Sequence, residues 1–265
     1  KGEEKEKPKI KYRRISSNLE DEIFTSKQNY VTDSFSFKTN DEIIKLLVAP
    51  LYGNDPKYAV RELLQNSVDA CIERESFEKK KGNNYTPLIT IKIEKESDGN
   101  TYFIINDNGL GMDTEIIKNY FLSAGASYRK SLDWQKENLD ENGNAIVRRT
   151  GRFGVGILSA FLIGEEIFVE TKKHNNDGYK FCANLNTEQI NILKDLSVSE
   201  GTLIKIKISD DKIKEFNLDN SYKKEPLWYK WYSLSSPQIK YFLNGQEIIP
   251  YEKLNPDNKE ELPIE

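Results

Sequence analysis

Three polar side chains in the segment 61–70 have the types and the spacing to act on a common ligand. Glu62, Asn66 and Asp69 follow one another at intervals of four and three residues, so in a helix they share one face. The glutamate can accept a proton from water or orient it. The asparagine oxygen suits Mg²⁺, which keeps waters and substrate phosphates as its other ligands. Asp69 can support such a site through hydrogen bonds. Considered alone, the segment is better interpreted as an amphipathic helix with a solvated polar face.

Two glycine-rich segments allow a ligand to approach the backbone closely. The first, Asp107-Asn108-Gly109-Leu110-Gly111-Met112, follows an apolar strand, and its aspartate can accept a hydrogen bond from an amine such as that of adenine. The second, Thr150–Ile157, has glycines at 151, 154 and 156 ahead of an apolar helix, where backbone N–H groups bind anions. This second segment is neither a P-loop nor a dinucleotide-binding fingerprint. Considered singly, the two segments also fit a tight turn and a closely packed helix start.

The elements that carry these residues follow from apolar periodicity and turn residues. Pro56 predicts the start of the helix that contains Glu62, and this helix continues to about Lys81. The polar stretch from Ser123 to Arg149 predicts a lid or a disordered loop. Strands are predicted at 34–37, 88–94, 101–106, 165–172, 179–185 and 202–208, further helices at 40–49, from Asp113 and at 155–162, and a hairpin at 241–249. Thr202, at the start of the strand 202–208, is a candidate for contact with a base.

In chain order these motifs resemble the GHKL superfamily of ATPases, which includes gyrase, MutL, histidine kinases and the ninety-kilodalton heat-shock chaperones. The best match within it is the amino-terminal ATPase domain of the chaperone family. It rests on Ser34–Phe37, Arg61-Glu62-Leu63, the segment 151–156 and Ser159-Ala160-Phe161, and it covers about residues 33–208. The resemblance implies an α+β fold, a two-layer α/β sandwich. In it a mixed, mostly antiparallel sheet lies under helices, and ATP binds between the helices and the lid.

The resemblance implies a role for each matched residue. Glu62 is the general base for the attacking water, and Asn66 ligates Mg²⁺ with Asp69 in support. Asp107 binds the adenine amine, beside Gly111, Met112 and Thr202. The backbone of a phosphate loop holds the phosphates, and that loop comprises Gly151, Arg152, Phe153, Gly154, Val155 and Gly156. Arg152 stands where the chaperones usually have an amide, and it either contacts phosphate or points to solvent.

The resemblance also predicts how the chain is divided and what it does. Residues 1–32 form an arm or linker, 33–210 the ATP-binding domain with a lid at about 113–150, and 211–265 an extension or the start of the next domain. The implied activity is Mg-dependent ATP binding and slow hydrolysis that drive lid closure and dimerisation in a chaperone-like protein with client proteins. In the family a basic residue of the following domain completes the site, so weak hydrolysis is expected of this chain.

Composition limits the partners and the setting. The net charge of −4 argues against a nucleic-acid partner, which usually leaves a basic footprint. No apolar run approaches the ~20 residues that cross a bilayer, so no membrane partner is expected. Cys71 and Cys182 lie far apart, which favours a reducing, cytoplasmic setting over a disulfide framework. The expected partners are ATP or ADP and a second copy of the chain in a homodimer.

A different class of function fits the same motifs. The chain could be a nucleotide-sensing module that gates an attached effector domain, for example in a bacterial stress or defence protein. The presence of Glu62 favours hydrolysis over pure sensing. Protein phosphotransfer is disfavoured, because the histidine kinase branch of the superfamily lacks this glutamate.

Overall fold

The computed structural model describes a sheet, the helices on one of its faces and part of the predicted lid segment. The described residues are 23, 26–27, 29, 55–123, 126–128, 131–139, 145, 156–184, 189–210, 212–216 and 236–248. The predicted strand at 34–37, the predicted helix at 40–49 and the segment 151–155 lie outside the described residues.

Within the described residues, eight strands form one mixed sheet in the order β5-β4-β3-β6-β2-β1-β7-β8. Every neighbouring pair is antiparallel except β1 and β7, which run parallel. The mixed, mostly antiparallel sheet predicted for this chain is therefore confirmed. The strands are β1 (Leu88–Lys95), β2 (Thr101–Asp107), β3 (Glu166–Lys172), β4 (Gly178–Asn184), β5 (Leu193–Lys194), β6 (Gly201–Lys207), β7 (Gln238–Leu243) and β8 (Gln246–Ile248).

The inner face of the sheet forms the core because apolar residues recur at every second position of the central strands. Ile89, Ile91 and Ile93 of β1 are fully buried, and Phe103 and Ile105 of β2 lie beside them. This alternation directs one set of side chains towards the helices. The other face of the same strands carries mostly half-buried or exposed residues, with Tyr102 as a buried exception.

The first described helix, α1 (Pro56–Lys80, 25 residues), packs against this inner face. Its start is fixed by Pro56 in the first turn and by Asp55, whose side chain accepts a hydrogen bond from the Lys57 amide. Val60, Leu63 and Leu64 anchor the helix in the core. The polar residues predicted to share one helical stripe are therefore carried on a rigid element.

Two shorter helical segments differ from what the sequence predicts. The helix that Asp113 caps is a single turn, α2 (Thr114–Ile116), and it continues as a π-helical turn over Ile117–Phe121. The apolar helix predicted at 155–162 is a 3-10 helix over Gly156–Leu162. In its first turn the Ser159 hydroxyl donates a 2.6 Å hydrogen bond to the Gly156 carbonyl oxygen. Such side-chain bonds compete with α-helical backbone bonds, which favours the tighter winding.

The lid segment contains a helix that its polar sequence did not predict. The helix α3 (Leu132–Asn138) begins after Ser131, whose side chain accepts a hydrogen bond from the Trp134 amide. Trp134 is only 1% exposed, and its indole Nε1 donates to Glu73 Oε1 of α1 at 2.6 Å. One buried aromatic residue thus attaches this helix to the body of the domain.

Residues of the predicted C-terminal extension complete one edge of the sheet. The strand β7 pairs with β1, and β8 returns antiparallel to β7 through the turn at Asn244-Gly245. Both turn residues have positive φ, 46° and 80°, as the predicted hairpin requires. The division of the chain into domains stays a prediction. Among the described helices, none is both long enough and apolar enough to cross a bilayer.

Candidate functional site

Glu62 and Asn66 lie side by side on α1, opposite the first residue of the 3-10 helix. A Cβ atom built on Gly156 would lie 3.3 Å from Glu62 Oε2 and 3.5 Å from Asn66 Nδ2. Both side chains are half-buried. The glycine at 156 therefore lets the backbone that follows the glycine-rich segment lie close to a carboxylate and an amide.

The environment of Glu62 suits a proton acceptor. Burial raises the pKa of its carboxyl above the ordinary value of 4.5, and the positive charge of Arg61 partly offsets this increase. A carboxylate with a raised pKa binds a proton more readily. The chemistry of the pair also fits a hydrated magnesium ion, because Asn66 supplies a neutral oxygen ligand and Glu62 a negative charge beside it.

Asp107 lies at the end of β2, where α1 crosses the strand. Its side chain is 5% exposed and accepts hydrogen bonds from the Ser67 hydroxyl at 2.8 Å and from the Gly109 amide at 2.9 Å. Burial raises the pKa of this carboxyl to about 6, although these two bonds and the backbone amide of Thr202 oppose the increase. The group is thus a buried, well-oriented acceptor attached to the same helix as Glu62.

The acceptor capacity of Asp107 is not exhausted by the protein. A carboxylate offers about four lone-pair positions, and Ser67 and Gly109 use two of them. Lone-pair positions therefore remain for an external donor. The exocyclic amine of adenine, the ligand predicted from the sequence, is a donor of this kind.

A pair of threonine hydroxyls lies next to this acceptor. Thr171 of β3 and Thr202 of β6 face each other in the sheet, and their Oγ1 atoms are 3.0 Å apart. The Thr171 hydroxyl also accepts from the Met112 amide at 2.9 Å and donates to the Gly201 carbonyl oxygen at 3.1 Å. Because Thr171 has only one proton, the Thr202 hydroxyl donates to Thr171 and keeps its own lone pairs for another group.

Two glycines at this end of the site are required by close backbone contacts. Gly111 has a φ of +69°, and a Cβ there would lie 2.1 Å from the Lys172 carbonyl oxygen. Gly201 has a φ of +110°, and a Cβ there would lie 2.0 Å from the Asp107 carbonyl oxygen. No other residue fits either position without a shift of the backbone. The turn after β2 is thus packed tightly against β3 and β6.

Asp69 is buried on α1 and makes a local hydrogen bond. It is 1% exposed, and Gln65 Nε2 donates to its Oδ1 at 2.7 Å. Its predicted supporting role towards a ligand stays a prediction.

In each glycine-rich segment, the predicted residues that the structure describes lie close to other predicted site residues. Gly156 lies close to Glu62 and Asn66, and the turn with Gly111 and Met112 adjoins Asp107 and Thr202 through Thr171. Five residues of the predicted phosphate loop lie outside the described residues: Gly151, Arg152, Phe153, Gly154 and Val155.

The sequence prediction missed two side chains of the site, Ser67 and Thr171. Ser67 adjoins Asn66 inside a motif already singled out, whereas no local pattern marks Thr171.

Known chaperones match most of this chain. The chaperone protein HtpG of Campylobacter jejuni (strain RM1221) is 32% identical over 231 residues, which are 84% of this chain and 35% of that protein. HtpG of Sulfurimonas denitrificans is 30% identical over 224 residues, 83% of this chain and 34% of that protein. HtpG of Ehrlichia canis is 30% identical over 224 residues, 82% of this chain and 33% of that protein. The chain therefore spans about a third of the length of the curated relatives it matches.

A family model covers the elements that build the site. The model described as "Histidine kinase-, DNA gyrase B-, and HSP90-like ATPase" matches residues 54–221, more than half of the chain. This range begins just before α1 and includes Glu62, Asp107, Gly156 and Thr202. With the sheet order and the site geometry in agreement, the chain belongs to the histidine kinase-, DNA gyrase B- and HSP90-like ATPase family, the GHKL ATPases.

Proposed function

We propose that this chain binds Mg-ATP and hydrolyses it slowly, with Glu62 as general base, Asn66 as magnesium ligand and Asp107 as acceptor for the adenine amine. The observation that carries the proposal is the close approach of the Gly156 backbone to Glu62 and Asn66, where a Cβ atom would lie 3.3 Å from the Glu62 carboxylate. The buried acceptor Asp107 is attached to the same helix through Ser67. A single helix would thereby align the two ends of one nucleotide.

At the phosphate end, the residues of α1 would act on water and on the metal. Mg²⁺, when bound, would neutralise phosphate charge and fix the phosphate oxygens. Asn66 would supply one oxygen to its coordination shell. Glu62 would accept a proton from the water whose oxygen bonds to the γ-phosphorus. The bond from that phosphorus to the bridging oxygen would break, leaving ADP and inorganic phosphate.

At the adenine end, recognition would use groups that are already held in place. Asp107 would accept from the exocyclic amine, and the Thr202 hydroxyl would offer lone pairs next to it. Met112 packs against the core beside this turn and would contact the base. Fixed acceptors in a buried site discriminate strongly against a base that lacks the matching donor.

The wider role that we propose is chaperone-like. ATP binding would close the lid and favour a homodimer, and the cycle would act on client proteins. The sequence similarity to HtpG chaperones, 30–32% identity over more than four fifths of this chain, supports this proposal. Since the chain corresponds to only about a third of those proteins, we expect turnover by the 265-residue chain to be weak.

Two substitutions separate the proposed roles. We expect Glu62→Ala to leave the Kd for Mg-ATP within about threefold of the parent and to lower single-turnover hydrolysis by at least about a hundredfold, as loss of a general base does. We expect Asn66→Ala to raise the Kd for Mg-ATP at least about tenfold. Calorimetry gives the Kd values, and rapid quench gives the turnover.

The matched control is Glu75→Ala, because Glu75 is also a glutamate of α1 and it forms an i,i+4 ion pair with Lys79. This control should bind and turn over like the parent. Equal turnover in the Glu62→Ala variant and the parent would refute catalysis by Glu62. Binding that persists without any turnover in the parent would favour the nucleotide-sensing module instead.

A further inference from the structure

Arg74 touches the backbone of the turn that follows Asp107. It lies on α1, one helical turn after Ala70, and its side chain is 15% exposed. Its Nη1 donates to the Asn108 carbonyl oxygen at 3.0 Å and to the Gly109 carbonyl oxygen at 3.4 Å. A charged guanidinium therefore caps two successive carbonyl groups of this turn.

One peptide unit links Arg74 to the Asp107 carboxylate. The carbonyl of Asn108 and the amide of Gly109 belong to the same planar group. Arg74 binds the oxygen of that group, and Asp107 Oδ1 accepts from its nitrogen at 2.9 Å. Rotation of this peptide would break both hydrogen bonds at once. The orientation of the Asp107 carboxylate is thus coupled to the position of the guanidinium.

The guanidinium is held from several directions. Its Nη2 forms an ion pair with Glu200, its Nε lies 3.4 Å from Glu78 Oε1, and its centre lies 5.0 Å from the centroid of the Tyr85 ring. The Tyr85 hydroxyl is 2.9 Å from the Asn108 carbonyl oxygen, so it contacts the same peptide. These contacts leave Arg74 little freedom to move.

Glu200 connects Arg74 to β6, the strand that carries Thr202 beside Asp107. It directly precedes Gly201 and Thr202, and Thr202 pairs with Asp107 between β6 and β2. Although burial raises the pKa of Glu200, its hydrogen bond with His174 and the charge of Arg74 hold that pKa below the ordinary value. Glu200 is therefore a stable anion that fixes Arg74 relative to β6.

From this geometry we propose that Arg74 is a positioning residue for base recognition, which orients Asp107 towards a 6-amino purine and against a 6-oxo purine. The proposal rests on the proposed ATP site. Arg74 touches no nucleotide atom in it. The guanidinium sets the angle of one peptide, that peptide sets the direction of the carboxylate, and the carboxylate discriminates between the amine and a carbonyl oxygen.

The test compares two nucleotides that differ at the base and share a triphosphate. Calorimetry gives the Kd of Mg-ATP and of Mg-ITP, in which an oxygen replaces the amine, for the parent, Arg74→Lys and Arg74→Leu. We expect the parent to prefer ATP at least about tenfold. We expect Arg74→Lys to reduce the ITP-to-ATP ratio of Kd values by about a factor of five to ten, with the ITP value little changed. Lysine keeps the charge but cannot reproduce the planar fork.

A second variant keeps the test valid if loss of the guanidinium unfolds the chain. Glu200→Gln leaves Arg74 present and removes its ionic partner, so the same ratio should fall by a smaller factor. The control Lys79→Gln, which changes an exposed cation of the same helix, should leave the ratio unchanged.

Three outcomes would overturn the inference. One is a parent that binds the two nucleotides equally. Another is a set of Arg74 and Glu200 variants that weaken both nucleotides by the same factor, which is the result of a purely structural role. A parent that binds neither nucleotide would refute the proposed function itself, and the inference with it.

Discussion

Asp107 shows how a single residue can combine recognition with a cost in stability. Its carboxylate is buried and accepts two hydrogen bonds from the protein, which leaves lone pairs for a further donor. Burial raises its pKa from 3.8 to about 6, so the folded chain holds this group in the charged form at neutral pH only at a free-energy cost. The acceptor that would read adenine is therefore also a local weakness of the fold.

An Asp107→Asn variant should differ from the parent in how its stability depends on pH. Between about pH 4 and 6 the folded parent keeps a proton that the unfolded chain has released, so its stability falls as the pH rises and is constant above this window. The Asp107→Asn variant has no carboxyl group at this position, so it lacks this fall in stability. Relative to the parent it should gain about 2–3 kcal/mol between pH 4 and pH 7, measured by urea denaturation at each pH, while its affinity for Mg-ATP falls.

Asp98→Asn is the control for this experiment. Asp98 is exposed, and the hydrogen bonds that it accepts lower its pKa to about 2. The bond from the Asn100 side chain makes the largest contribution. The stability that Asp98 contributes is present above pH 4 and is lost only at lower pH. The difference between this control and the parent should therefore be flat from pH 4 to 7. A flat difference for Asp107→Asn as well would contradict the cost assigned to that carboxylate.

Several site residues could be predicted because local sequence encodes them. Glu62, Asn66 and Asp69 follow from helical spacing, and Gly111 follows from the glycines of its turn. Thr171 could not be predicted, because only the register of β3 against β6 brings it to Thr202. Strand pairing across 31 positions leaves no trace in local periodicity.

At the scale of elements, the 3-10 helix at Gly156 fixes how closely the backbone approaches α1. Its winding brings Gly156 near Glu62, and its apolar residues Ile157 and Leu158 are buried in the core. An apolar run predicts a helix here, but it cannot distinguish an α-helix from a 3-10 helix. The Ser159 hydroxyl bond to the Gly156 carbonyl oxygen is the feature that favours the tighter form.

A Gly156→Ala substitution should alter catalysis more than stability. Its Cβ would lie 3.3 Å from Glu62 Oε2, so the carboxylate must shift by a few tenths of an ångström. We expect turnover to fall about tenfold, because catalytic groups tolerate little displacement. The free energy of unfolding should change by less than about 1 kcal/mol. Single-turnover hydrolysis and urea denaturation measure the two effects.

Gly111→Ala is the contrasting variant. Its φ of +69° and a Cβ only 2.1 Å from the Lys172 carbonyl oxygen require the backbone to move. We expect it to lose more than about 2 kcal/mol of stability. Parent-like turnover in Gly156→Ala would mean that the space beside Glu62 is not used in hydrolysis.

At the scale of the whole molecule, the sequence predicted the elements better than their arrangement. Five predicted strands and the hairpin at Asn244-Gly245 lie within one to three residues of their observed bounds, because alternation and turn chemistry are local signals. The two-residue strand β5 was not predicted. The sheet order is not local, since β6 separates β2 from β3 and β7 lies parallel to β1. The docked lid helix was missed because a single tryptophan in a polar run carries it.

The contact between Trp134 and Glu73 attaches the helix of the predicted lid segment to α1, and its strength can be measured. Trp134→Phe removes the indole donor, whereas Glu73→Gln keeps an acceptor oxygen at the same place. In urea denaturation we expect Trp134→Phe to lose about 1–2 kcal/mol. The double variant should show a coupling energy of about 1 kcal/mol, because the charged acceptor strengthens the bond. Additive losses in the double variant would mean that the lid helix is held by apolar burial of Trp134 instead of by this hydrogen bond.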